Sequence, residues 1–307
     1  MFLTDEQGRY GGSFLYMMFN WQRTTAALCV IVSTGVATAH HLGLLGEGID
    51  FPTFPLAVVG GALGIFVSFR TNSAYQRWWE GRKLWGRLIN TSRHICTQAI
   101  AYLPEDEARQ TVLRQITYVH ALRCGLRKED AFVDAHITRS MDADDHRELQ
   151  GSTNLNHALL NRHMAQFIRL NEGGGLNDFR LSDLDESVRH LLDIQGGAER
   201  INKTPFPPAY GFLATRLTQT YACVLPLCLV EEVGFWVSPI TLLICMAFQL
   251  INEVGRVLEN PFTNHWPALP LSAMSLTIER NLRQALGETE LPPAQEPFTR
   301  RKLRVLM

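Results

Sequence analysis

Four runs without Asp, Glu, Lys or Arg, Thr24 to Gly46, Phe51 to Phe69, Leu217 to Val230 and Val233 to Asn252, constrain this chain more than anything else in it. A hydrocarbon core of roughly 30 Å needs about 20 apolar residues of helix. The first, second and fourth runs nearly meet that length alone. The third needs its flanks, from Gly211, which puts Arg216 near an interface. A single run of this kind is compatible with the buried helix of a soluble core. Four of them in two adjacent pairs favour a membrane.

Composition does not decide between those readings, because 307 residues with 46% hydrophobic content and a mean hydropathy of −0.04 suit either. Charge distribution does. The connection within the first pair carries only Glu47 and Asp50, and that within the second carries only Glu231 and Glu232. The opposite ends are basic: Arg9 and Arg23 precede the first run, and Arg70, Arg77, Arg82, Lys83, Arg87 and Arg93 follow the second. By the positive-inside rule, both termini and the long middle segment are expected in the cytoplasm, with the chain crossing in-out-in twice. Asp5 and Glu6 precede the first basic residue, so no secretory signal is expected.

Between the pairs, apolar residues recur at helical spacing, as in Val112, Ile116, Val119 and Leu122, and again in Leu159, Leu160, His163 and Phe167. The expected fold is all-α, with four transmembrane helices in two hairpins and a cytoplasmic helical domain. Its expected divisions are 1–70, an N-terminal segment and first hairpin; 71–208, the cytoplasmic helical domain; 209–255, the second hairpin; and 256–307, a cytoplasmic helical segment. Lys128 to Ser152, rich in charge, and Asn171 to Asn177, with Gly173, Gly174 and Gly175, read as loops or helix breaks.

Little in the sequence points to chemistry. Asp142, Asp144, Asp145 and His146 lack the glycine and distant glutamate of a calcium loop and read as a solvated loop or helix start. The Gly173 triplet is not followed by Lys-Ser/Thr, so it is a turn and not a phosphate cradle. His40 and His41 are adjacent, and adjacent helical residues diverge. Six cysteines, Cys29, Cys96, Cys124, Cys223, Cys228 and Cys245, lack the paired spacing of a zinc site or a disulfide framework. Glu253, beside Asn252 at the inner end of the fourth run, reads as an interfacial hydrogen-bonding residue. No enzymatic activity, cofactor, metal or nucleic-acid partner is expected.

Four segments together resemble the bestrophin family of ion channels. They are Phe69-Arg70-Thr71-Asn72-Ser73-Ala74-Tyr75-Gln76-Arg77-Trp78-Trp79-Glu80-Gly81, continuing to Gly86; His120-Ala121-Leu122-Arg123 with Leu126-Arg127; Glu199-Arg200-Ile201-Asn202-Lys203-Thr204-Pro205-Phe206-Pro207-Pro208; and Glu259-Asn260-Pro261-Phe262. The resemblance implies a homopentamer around one axial pore, with a hydrophobic neck in the membrane and an aperture in the cytoplasm. It maps the neck onto Gly61, Ile65 and Phe69, which a spacing of four keeps on one helix face. Gly61 departs from the bulky apolar residue usual in the family, so the outer ring is wider here, or Val58 or Leu63 replaces it. The aperture maps onto Phe206, stiffened by Pro205 and Pro207. Arg70, Arg77, Trp78, Trp79, Asn260, Pro261 and Phe262 are expected to be structural.

After Phe262 the family's animal members carry acidic calcium ligands, whereas Thr263, Asn264, His265, Trp266 and Pro267 stand here, so calcium activation is not expected. Implied partners are further copies of the chain, membrane lipid and permeant inorganic ions, and the implied location is the cell membrane, the inner one in a bacterium. By family resemblance the ion is chloride, although Glu47, Asp50, Glu231 and Glu232 multiplied around a mouth would concentrate cations such as sodium. The reading from another class is a membrane-anchored cytoplasmic binding or signalling protein.

Overall fold

The computed structural model describes residues 22–44, 53–264, 268–294, 298–300 and 303–305. Among them it is helical apart from a short antiparallel hairpin, in which β1 (Phe298–Arg300) pairs with β2 (Leu303–Val305). The helices are α1 (Arg23–His41), α2 (Thr53–Tyr102), α3 (Glu105–Arg127), α4 (Ala135–Ser140), α5 (Ala143–Leu149), α6 (Leu155–Glu172), α7 (Asp178–Lys203), α8 (Pro208–Val233), α9 (Val237–Leu258) and α10 (Leu271–Ala285). They divide into two units, Met1–Gln76 with Phe206–Glu259 and Arg77–Pro205 with Asn260–Met307.

In the first unit, α1, the start of α2, α8 and α9 pack through Cys29, Leu63, Val67, Ala222, Leu225 and Cys245. Small residues admit large ones: a Cβ on Gly60 would sit 2.7 Å from the Tyr221 hydroxyl. The Ser33 hydroxyl links α1 to α9 through Ser238, 3.0 Å away. Two stretches, Phe54–Tyr102 and Pro208–Leu258, are long and apolar enough to cross a membrane, and only 28% and 22% of their most apolar windows are buried. Helices of a soluble core would hide most of that surface, so these expect lipid or another protein.

The second connection departs from expectation. Glu231 and Glu232 lie inside the last turn of α8, and the reversal is made by Gly234 at φ 56 and the 3₁₀ turn Gly234–Trp236. The helix continues past the acidic pair because only at Gly234 does the backbone enter the left-handed region that glycine tolerates. Both carboxylates are exposed, at the negative end of the helix dipole, an unfavourable place for them. Pro226 is accommodated within α8 without interrupting it.

The second unit is built around α3, whose residues from Arg114 to Cys124 are buried without a break. Lys128 to Ser152 is not a plain loop. Its side chains cap short helices: the Asp130 carboxylate accepts from the Phe132 N–H at 2.9 Å, and that of Asp134 from the His136 N–H at 3.0 Å. The 171–177 segment does break the helix, with Gly174 at φ 76. Asp145 is not solvated either. It is buried and accepts from Arg114 Nε at 2.9 Å.

His163 on α6 is fully buried, with neither ring nitrogen hydrogen-bonded among the described residues. Burial, helped by the nearby Arg114 charge, lowers its pKa well below the ordinary 6.5. The unfolded chain therefore takes up a proton below 6.5 that the folded chain refuses, and stability falls as the pH drops through that range. The expected cost is up to about 1.4 kcal/mol per pH unit. His163→Leu should flatten the fall of the melting temperature between pH 6.5 and 5, and equal slopes in variant and wild type would remove His163 from the acid response.

Candidate functional site

Within the first unit α2 has two opposite faces. Leu56, Gly60, Leu63, Val67, Arg70 and Ala74 are buried, while Phe54, Val58, Gly61, Ile65 and Phe69 are exposed. Ile65 is 61% exposed and Phe69 68%, values that leave this apolar row without a packing partner among the described residues of one copy of the chain. A Cβ on Gly61 would meet nothing within 4 Å. Leu63 is 3% exposed and packed into the core, so it takes no part in this face, whereas Val58 lies on it. Below Phe69 the same face turns polar at Asn72, Ser73 and Gln76.

A buried polar cluster sets the rotation of that helix. Arg70, 4% exposed, donates through Nη1 to the Asn252 carbonyl at 2.9 Å and to its side-chain oxygen at 2.5 Å, and through Nη2 to Glu259. The Thr71 hydroxyl donates to the Ile251 carbonyl at 3.0 Å. Two glycines make room: a Cβ on Gly211 would stand 3.1 Å from Arg70 Nη2, and one on Gly255 would stand 3.0 Å from Thr71 Oγ1 and 3.2 Å from its Cα. Glu253 pairs with Arg256 on its own helix, Nε to Oε2 at 2.8 Å.

Phe206 is half-buried just before α8. Its ring centroid is 5.8 Å from that of Tyr210, which stacks on Phe66 at 6.1 Å, so the aromatic chain reaches the residue next to Ile65. In the second unit Arg77 donates to the Ile201 carbonyl in the last turn of α7 and, at 2.6 Å, to that of Thr204, the residue that follows the helix. Trp78 packs on the core and Trp79 is half exposed. Asn260 Oδ1 accepts from the Phe262 N–H at 3.3 Å, and the Pro261 carbonyl accepts from Leu269 N–H at 2.8 Å. That turn delivers Phe262, fully buried, against Gly81, where a Cβ would be 3.2 Å from its ring. Pro205 and Pro207 are exposed. Glu47, Asp50, His265, Trp266 and Pro267 lie outside the described residues. Asn264, just before the last three, donates to Glu129 at 3.0 Å.

The family described as Bacterial/Fungal Bestrophin protein matches residues 22–284. The chain belongs to the bestrophin family. Among similar proteins, the voltage-dependent anion channel-forming protein YneE of Escherichia coli K12 is 33% identical over 248 residues, covering 80% of each chain. A voltage-dependent anion channel-forming protein of Ralstonia nicotianae is 31% identical over 262 residues, covering 83% of this chain and 84% of its own. A crystal structure of a bacterial bestrophin homologue from Klebsiella pneumoniae superposes with a TM-score of 0.80 at 28% identity, over 87% of this chain and 98% of that one. The all-α membrane-channel fold expected from the sequence is therefore the fold of this bestrophin.

Sequence reading missed one constellation, the imidazoles of His120 and His136 converging on Glu279 in the second unit. No local spacing joins those positions. Arg70, expected to be structural and also counted in the basic flank, is buried between helices, and the sequence did not reveal its acceptors on Asn252 and Glu259. Removing one member of a buried charged pair costs about 3–5 kcal/mol. Arg70→Gln should therefore lower the melting temperature of the purified protein far more than Arg82→Gln, an exposed neighbour on the same helix. Equal shifts would show that the Arg70 cluster does not hold α2 in place.

Proposed function

We propose that this bestrophin is a homopentameric ion channel in which the start of α2 from five copies lines an axial pore and monovalent anions, chloride foremost, are the permeant ions. The observation that carries this is the unpartnered stripe of Gly61, Ile65 and Phe69, facing away from the packed face of the same helix. Cyclic assembly turns each position into a ring of five. Rings of Ile65 and Phe69 offer an ion nothing to replace its water, so the neck gates by dewetting, and Gly61 leaves it open at its outer end unless Val58 fills the space. Phe206 forms the second constriction. The names of the relatives support an anion channel and not an enzyme. The chain lies in the cell membrane, the inner one in a bacterium, with four crossings, lipid around the apolar faces and both termini in the cytoplasm.

A second reading, a monovalent cation channel such as one for sodium, is favoured by Glu231 and Glu232, exposed at the end of α8, which fivefold repetition would turn into an acidic mouth. Reversal potentials in a salt gradient across a lipid bilayer separate the two. A shift toward the chloride equilibrium supports the first, and one toward the sodium equilibrium replaces it with the second.

The neck is tested by ion flux into liposomes carrying the purified protein. Ile65→Ala and Phe69→Ala should each speed flux, and a barrier lowered by about 1.4 kcal/mol would do so about tenfold. Gly61→Leu should slow it. Unchanged flux in all three variants, with the assembly intact, would remove α2 from the pore.

A further inference from the structure

The second unit contains a group of ligating atoms unrelated to the pore stripe. His120 on α3, His136 on α4 and Glu279 on α10 come from three helices and meet at one carboxylate oxygen. Glu279 Oε2 is 3.0 Å from His120 Nε2 and 2.7 Å from His136 Nδ1, and the two imidazoles stack in parallel, centroids 4.5 Å apart at an interplanar angle of 2°. His120 and Glu279 are 1% and 0% exposed, whereas the His136 side chain is 37% exposed and provides a route in from solvent.

We infer that His120 Nε2, His136 Nδ1 and Glu279 Oε2 form a binding site for a divalent transition-metal ion, zinc foremost. Two imidazole nitrogens and one carboxylate oxygen are a donor set that zinc accepts, with a fourth position left to water on the His136 side. Calcium does not fit, since it requires six to eight oxygens and this site offers one from the carboxylate. Four ligands at 2.0–2.1 Å from zinc stand roughly 3.3 Å apart. The two imidazole–carboxylate separations are shorter than that by a few tenths of an ångström, and the ion is admitted when the carboxylate draws back and the stacked rings tilt toward one another.

The surroundings hold the carboxylate in position. Arg283 Nε donates to Glu279 Oε1 at 2.8 Å, leaving Oε2 for the imidazoles, and Arg283 is itself anchored by Glu288 at 3.0 Å and the Ser140 hydroxyl at 2.8 Å. Arg109 shares Glu288 at 2.8 Å, and Arg123 is paired with Asp134 beside the histidines. Burial raises the Glu279 pKa, but the hydrogen bonds from His120, His136 and Arg283 outweigh it and keep the group ionised. An ion bound here ties the short helix α4 to α3 and α10.

The test uses the full-length protein purified in detergent after chelator treatment, titrated with cobalt(II) and back-titrated with zinc. Wild type should take up one ion per chain more than His136→Ala and develop the visible bands of four-coordinate cobalt, which zinc abolishes. Loss of the ligand should weaken binding by more than the roughly 10–100-fold typical of outer-shell changes. Glu279→Gln should lose the bands as well. The same uptake and spectrum in wild type and His136→Ala would mean adventitious binding at other histidines and would overturn the site. A second measurement needs no variant: in wild type, zinc at ten times its dissociation constant should slow carbethoxylation of His136 by about tenfold. An unprotected His136 would equally refute the inference.

Discussion

A guanidinium removed from water between packed helices must find fixed acceptors, and in the first unit Arg70 finds them on Asn252 and Glu259. The penalty for misplacing such a group is steep, so one rotation of α2 is selected over its neighbours. Successive residues of a helix are about 100° apart, which means that turning Arg70 inward obliges Phe69 and Ile65 to face outward. Gly211 and Gly255 belong to the same device, because any side chain there would push α8 or α9 off the arginine or its neighbour Thr71. The exposed stripe is thus a consequence of a polar clamp on the opposite side of the helix.

Several residues of the segments that carry the family resemblance make contacts with helix ends and neighbouring helices. Arg77 donates to carbonyls at and just past the end of α7, Asn202 donates to the Leu126 carbonyl at 3.1 Å, and Glu199 gathers Asn154, Gln195 and Lys203. Arg200 reaches Glu80 at 2.6 Å. The contacts of Arg77, Asn202 and Arg200, and that of Glu199 with Asn154, satisfy a helix end or join two helices, whereas those of Glu199 with Gln195 and Lys203 lie within α7.

What could be read from the sequence was what is local or periodic. Charge-free runs became helices, since their length and composition act on contiguous residues, and the glycine triplet became the break between α6 and α7. Misreadings arose where distant residues decide the outcome. Asp145 does stand at a helix start, one of the two readings of its segment, but its burial shows only once Arg114 is placed beside it, and Glu231 and Glu232 look like a turn until Gly234 is seen to make the reversal. His120 and Glu279, 159 positions apart, share no pattern at all. The stripe of Gly61, Ile65 and Phe69 came from the family resemblance and not from spacing alone, and that Leu63 lies buried and Val58 exposed required the packing.

Gly81 and Phe262 meet because the Asn260–Pro261 turn lays an aromatic ring against a helix backbone that has no side chain. Neither position is free to drift alone: a methyl group at 81 crowds the ring, and a smaller residue at 262 leaves a void. A larger side chain at 81 therefore calls for a smaller one at 262, so the effect of a substitution at either position depends on the residue at the other.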